Sequence, residues 1–76
     1  GNKHWLLSAR HEVEYLNKKL EINLPTDNAY ETLGGMILDN EAVIPEEGKE
    51  FNIEDYHVKI LKVETNRIDL IELKLL

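Results

Sequence analysis

Apolar positions follow two different rhythms along this chain. Near the start, Trp5, Leu6 and Leu7 form a short apolar run bounded by polar residues, which suits a buried strand. After Arg10-His11-Glu12, the apolar positions Val13, Leu16 and Leu20 recur at spacings of three and four, with Tyr15 beside them. Such spacing places them on one face of a helix. Glu14 and Lys18 lie four apart in the order that favours an ion pair on a helix surface. The pattern predicts a helix of about ten residues that ends near Glu21. Pro25 disfavours helix at Leu24, because its ring crowds the preceding residue, so Ile22 to Leu24 should be extended.

Thr26-Asp27-Asn28 is turn chemistry. A second helix is expected to open near Glu31 or Thr32, with Leu33, Met36 and Ile37 repeating at three and four. Gly34-Gly35 lies inside it, although each helical glycine costs about 1 kcal/mol relative to alanine. One explanation is close backbone packing, where a side chain would collide with a neighbouring element. The other is a phosphate-cradling loop, which needs glycines around a strand-to-helix turn, often with Lys and Ser/Thr. None of that context surrounds the pair, so packing is preferred.

Ile44-Pro45 closes this region, and Glu46-Glu47-Gly48 is a turn. From Lys49 onward the apolar period becomes two. Phe51 and Ile53 alternate with polar residues, Glu54-Asp55 turns, Tyr56, Val58 and Ile60 alternate, Glu64-Thr65-Asn66 turns, and a last strand runs from Arg67 to about Leu75. This is a three-strand antiparallel meander. Both long strands change phase: Val58 and Ile60 give way to Leu61 and Val63, and Ile68 and Leu70 give way to Ile71, Leu73 and Leu75. A one-residue slip sends side chains to the opposite face, so these strands carry bulges or are covered on both faces. Either way the sheet is not a flat layer with one wet side throughout. Two small helices cannot cover both faces, which leaves apolar surface for a partner. Tyr56, Ile71, Leu73 and Leu75 are the first place to look for it, with burial in the core as the competing and preferred assignment.

The fold class that follows is α+β: a small antiparallel sheet, built from the first strand and the meander, packed with two short helices. Composition narrows what such a fold could do. At 76 residues the chain is one domain, 1–76, that buries roughly 60% of its unfolded surface. The apolar fraction of 42% is that of an ordinary folded protein. There is no cysteine, which removes disulfides, zinc-thiolate sites and thiol catalysis, and fits the cytosol. A net charge of −6 argues against nucleic acid and against adsorption on anionic lipid, since both need a Lys/Arg surface. No apolar run approaches the roughly 20 residues of a membrane span. Nor do the chain's first residues read as a signal peptide. The chain starts at Gly1 without an initiator Met and enters apolar sequence at once, which reads as a piece of a longer protein.

Little here carries chemistry. His4, His11 and His57 form no metal-ligand spacing, and all three are expected to be surface or partly buried residues. The carboxylate pairs Asp39 and Glu41, Glu46 and Glu47, and Glu54 and Asp55 sit in or beside turns, where water keeps them ionised. They match neither a glycosidase pair nor an EF-hand loop. Ser8, the only serine, lacks a nucleophile elbow, and no dinucleotide-binding glycine motif occurs. No catalytic, cofactor-binding or metal-ligating residue is assigned.

The order of elements resembles the CorC/HlyC transporter-associated domain. The resemblance rests on Val13-Glu14-Tyr15-Leu16-Asn17-Lys18-Lys19-Leu20, Ile22-Asn23-Leu24-Pro25, Tyr30-Glu31-Thr32-Leu33-Gly34-Gly35-Met36-Ile37-Leu38, Ile44-Pro45-Glu46-Glu47-Gly48, Val58-Lys59-Ile60-Leu61-Lys62-Val63 and the ending from Arg67-Ile68. It covers nearly the whole chain. The chain departs from the family at Ser8-Ala9-Arg10-His11, where a glycine-containing turn is usual, and at Glu64-Thr65, where Asp-Gly is common. The resemblance implies a non-catalytic regulatory domain at the C-terminus of a bacterial membrane protein that also carries a pair of CBS modules. Such proteins include haemolysin-like chains and ion transporters of the Mg²⁺/Co²⁺ type. The implied partners are the CBS modules and membrane domain of the same protein, with a homodimer as a further option, on the cytoplasmic side of an inner or plasma membrane. No cofactor is implied. The fold is also similar to part of an FAD-binding domain, and by that analogy alone a flavin or adenine-nucleotide module is the alternative.

Overall fold

The computed structural model describes residues 3–76. Six elements follow in the order β1 (His4–Ser8), α1 (Val13–Leu20), α2 (Leu33–Glu41), β2 (Glu50–Ile53), β3 (Tyr56–Glu64) and β4 (Arg67–Leu75). The expected α+β class, the two helices and the meander are all present.

α1 is amphipathic as its spacing required: Val13 and Leu16 are buried and Tyr15 is exposed. Glu14 in its first turn and Lys18 and Lys19 in its last complement the helix dipole. It ends one residue before Glu21, which caps it in the left-handed region at φ 56°, and Ile22 N–H closes the end on the carbonyl of Asn17 at 3.1 Å. α2 opens on Thr32, whose hydroxyl accepts from Gly35 N–H at 3.0 Å, and buries Leu33, Met36 and Ile37.

The strands form one antiparallel sheet in the order β1-β4-β3-β2. The first strand therefore pairs with the last, and the helices connect it to the meander. β1 was expected to be a buried strand, but it is a sheet edge with one covered face. Leu7 reaches the core, while Leu6, one residue out of phase, is 64% exposed. Alternation rather than the length of the apolar run decides this.

The phase changes are bulges. Ile60 opposes Ile71, Lys62 opposes Leu70 and Val63 opposes Ile68. Leu61 is thus the extra residue of β3, and Asp69 is the extra residue of β4. The two insertions cancel, so Glu64 meets Arg67 in the register the ladder had at Ile60. The β4 bulge lets Ile68 and Ile71, three residues apart, both enter the core. The following turn places Thr65 and Asn66 at φ 45° and 62°, the pair of positive values of a tight hairpin turn, without a glycine.

One face of the sheet carries Leu7, Ile53, Tyr56, Val58, Ile60, Ile71 and Leu73 into a core shared with both helices. The other face is polar over most of its width. Across it Leu6, Glu72, Lys59 and Glu50 stand in one row, and His4, Lys74, His57 and Asn52 in the next. Opposite charges on neighbouring strands favour this register. Coverage on both faces is thus not the solution adopted. Tyr56, Ile71 and Leu73 are 6%, 0% and 0% exposed, and Leu75 is half-buried, so the preferred assignment to the core holds for the first three and in part for Leu75. They lie in the regular part of the β3–β4 ladder, in phase with Val58 and Ile60, and so face the helix-covered side.

Candidate interaction surface

The two helix entrances cross. The segment before α1 and the segment before α2 meet in an antiparallel bridge between Glu12 and Thr32. Val13 N–H donates to the carbonyl of Glu31 at 2.8 Å, and Leu33 N–H donates to the carbonyl of His11 at 2.8 Å. Gly34 N–H then reaches the carbonyl of Ala9 at 2.9 Å. Every first-turn amide of α2 is therefore used: Leu33 and Gly34 by the α1 entrance, and Gly35 by Thr32. The crossing also explains the glycines. A β-carbon on Gly34 would lie 3.3 Å from both the β-carbon and the carbonyl oxygen of Ala9, and one on Gly35 would lie 3.0 Å from the β-carbon of Tyr30. The pair is a packing device, and its amides are not free to cradle a phosphate.

The polar candidates stay apart. His57 lies on the polar face of the sheet, with Nδ1 2.7 Å from Asn52 Oδ1 and Nε2 2.9 Å from Glu50 Oε1. His11 stacks on Tyr15 at 5.7 Å between ring centroids, and His4 is exposed on β1. Glu41 accepts from Lys49 Nζ at 2.8 Å and from Asn40 Nδ2 at 2.8 Å. The hydrogen bond from Lys49 holds the Glu41 carboxyl below its ordinary range. Glu47 accepts from Val63 N–H at 2.8 Å, and the carbonyl of Asp55 accepts from Leu76 N–H at 2.9 Å. Among the described residues, no three His, Asp or Glu side chains gather as a metal-holding group.

Sequence reasoning missed one polar neighbourhood. Tyr30 donates to the carbonyl of Pro25 at 2.7 Å beside a shallow groove bordered by Asp39, Asn40, Asn52 and Glu54. Burial, followed by the charges of Asp27, Asp39 and Glu54, raises its phenol above the ordinary range. These acids come from three different stretches of chain, so no local pattern could have announced them.

The other unforeseen feature is apolar. Leu38, Val43 and Ile44, at the end of α2 and in the loop after it, are 37%, 65% and 37% exposed. The remaining large exposed apolar side chains, Leu6, Tyr15 and Leu76, are scattered on other elements. The loop is anchored on either side of Val43 and Ile44. Ala42 N–H bonds the carbonyl of Leu38 at 2.8 Å, Pro45 is buried, and Gly48 N–H and the carbonyl of Lys49 pair with Ile60 at 2.7 and 2.9 Å. The Lys49–Glu41 ion pair ties the loop back to α2. Ile44-Pro45 reads in sequence as a helix stop, and that signal hid the exposure of the residues around it.

The family model for the CorC/HlyC "transporter associated domain" matches residues 1–76. The chain belongs to the CorC/HlyC transporter-associated domain family. Among solved structures, the domain is similar to the transporter-associated domain of a Xylella fastidiosa Temecula1 hemolysin in complex with Mg²⁺ and Mn²⁺. The two are 27% identical over 96% of this chain and 87% of that one, with a TM-score of 0.80. A region described as associated with an Mg²⁺ and Co²⁺ transporter, CorC, from Neisseria meningitidis MC58 shares its fold. The identity there is 16% over 97% of this chain and 90% of that one, with a TM-score of 0.86. The fold recurs in the transporter-associated domain of a CBS domain protein from Porphyromonas gingivalis, with 18% identity over 96% and 88% of the two chains and a TM-score of 0.78. No curated protein sequence matches the domain significantly. Among the described residues, no helix is long and apolar enough to cross a membrane.

Proposed function

We propose that this domain is a non-catalytic regulatory module of a longer bacterial membrane ion-transport protein of the Mg²⁺/Co²⁺ type, and that it acts through protein–protein contacts. One observation carries this reading. The first-turn amides of α2 are consumed at the crossed helix entrances, yet Leu38, Val43 and Ile44 stand exposed on an anchored loop. Apolar side chains presented on a rigid support are what an interface uses, since little ordering entropy is lost on binding. Relatives named for a CBS domain protein and for an ion transporter support the setting. The proposed partners are the CBS modules and the membrane domain of the same protein, on the cytoplasmic side, and the proposed mechanism needs no cofactor.

Amide hydrogen exchange tests this. The longer protein and the isolated domain are compared peptide by peptide. Slower exchange over one contiguous surface of the domain in the longer protein is the expected result. Equal exchange in the two settings overturns the proposal.

A further inference from the structure

We infer that the surface around Val43 takes a polypeptide segment whose apolar side chains are flanked by Lys or Arg. The inference rests on the docking reading above and adds the chemistry of the partner. Val43, Ile44 and Pro45 line an open concavity whose other walls are Glu46, Glu47 and Lys49. The charged groups on its walls are two carboxylates, Glu46 and Glu47, and one cation, Lys49. That lysine is spent on Glu41 at 2.8 Å. α2 also ends here, and its last turn contains no basic residue to offset the negative end of its dipole. The apolar patch therefore has a net negative rim, carried by Glu46 and by Glu47, which also accepts from Val63 N–H.

This rim selects among occupants. A second copy docking with this same face brings like charges together and is disfavoured. An anionic lipid surface is repelled for the same reason. A basic-flanked apolar segment gains both terms: Val43 and Ile44 supply desolvation, and the carboxylate rim supplies attraction and register.

The test is a titration of the isotope-labelled 76-residue domain, followed by amide signals in magnetic resonance. Three peptides of equal length serve as probes: an amphipathic Leu/Lys repeat, the same repeat with Glu for Lys, and the same repeat with Ser for Leu. The Leu/Lys peptide should shift signals from Leu38 to Lys49, and its affinity should fall about tenfold in Val43→Ser. Glu46→Lys, which is exposed and remote from the core, should weaken it as well and reduce its salt dependence. Equal binding of the Leu/Glu or Ser/Lys peptide overturns the inference, as do shifts centred elsewhere or no shift with any peptide. Hydrogen exchange on the longer protein separates the two levels. Protection on a different surface keeps the docking reading and overturns this inference, whereas protection nowhere overturns both.

Discussion

The side-chain amide of Asn17 engages both polar groups of the Leu24 backbone: Nδ2 donates to the Leu24 carbonyl at 3.0 Å, and Oδ1 accepts from Leu24 N–H at 2.7 Å. A helix thereby pairs with an extended segment as a strand would. Leu24, 1% exposed, is held in the core by this bond pair and kept extended by Pro25 after it. Asn17→Ala leaves two partly buried groups without partners and should cost about 2–3 kcal/mol. Urea unfolding measures it, and an unchanged midpoint contradicts the assignment.

Gly35→Ala improves helix propensity but drives a β-carbon to 3.0 Å from that of Tyr30. Since Tyr30 is fixed through its hydroxyl on Pro25, the clash should win, with a net loss of about 1–2 kcal/mol. Gly34→Ala, at 3.3 Å from Ala9, should lose less. A thermal melt in which either variant is more stable than the parent argues against close approach at the crossing.

Two non-glycine residues adopt left-handed conformations at helix ends: Glu21 at φ 56° and Ala42 at φ 68°. Glycine removes the steric penalty at such sites, partly offset by the greater freedom of the unfolded chain. Glu21→Gly and Ala42→Gly should each raise Tm by roughly 2–6 °C. A fall in Tm on calorimetry would mean that these side chains hold contacts of greater worth.

Acid should weaken the anchor of the exposed loop. Lys49 holds the folded pKa of Glu41 below the ordinary 4.5, so the folded state binds its proton less readily than the unfolded chain does. The stabilisation is fully present above 4.5 and is lost as pH falls through the lower, folded value. Glu41→Gln should therefore show a shallower loss of stability below that pH. Parallel stability curves for the two proteins on acid titration would contradict the ion pair's role.

Much of this fold was legible because alternation is a local signal. Phe51 and Ile53, then Tyr56, Val58 and Ile60, announce strands, and Val13, Leu16 and Leu20 announce a helix. The paired bulges were visible as the step from Ile68 to Ile71, but whether they meant bulges or two-sided coverage depends on a register between distant residues. Strand order is similarly non-local, so the edge position of β1 and the exposure of Leu6 could not be read from their apolar run. The exposed surface around Val43 went unseen for the same cause. Ile68 and Ile71 are out of phase only until the bulge is known, and Val43 stands exposed on a loop held by Pro45, Gly48 and Lys49. Asn17 reads as an ordinary polar position on a helix, since its partner lies beyond the helix end.

The most direct test of a regulatory docking module is ion transport by the longer protein with and without residues 1–76, measured in proteoliposomes at matched protein content. Excision should change how transport depends on ion concentration while the transport pathway itself survives. Identical transport and identical regulation in the two proteins would contradict it.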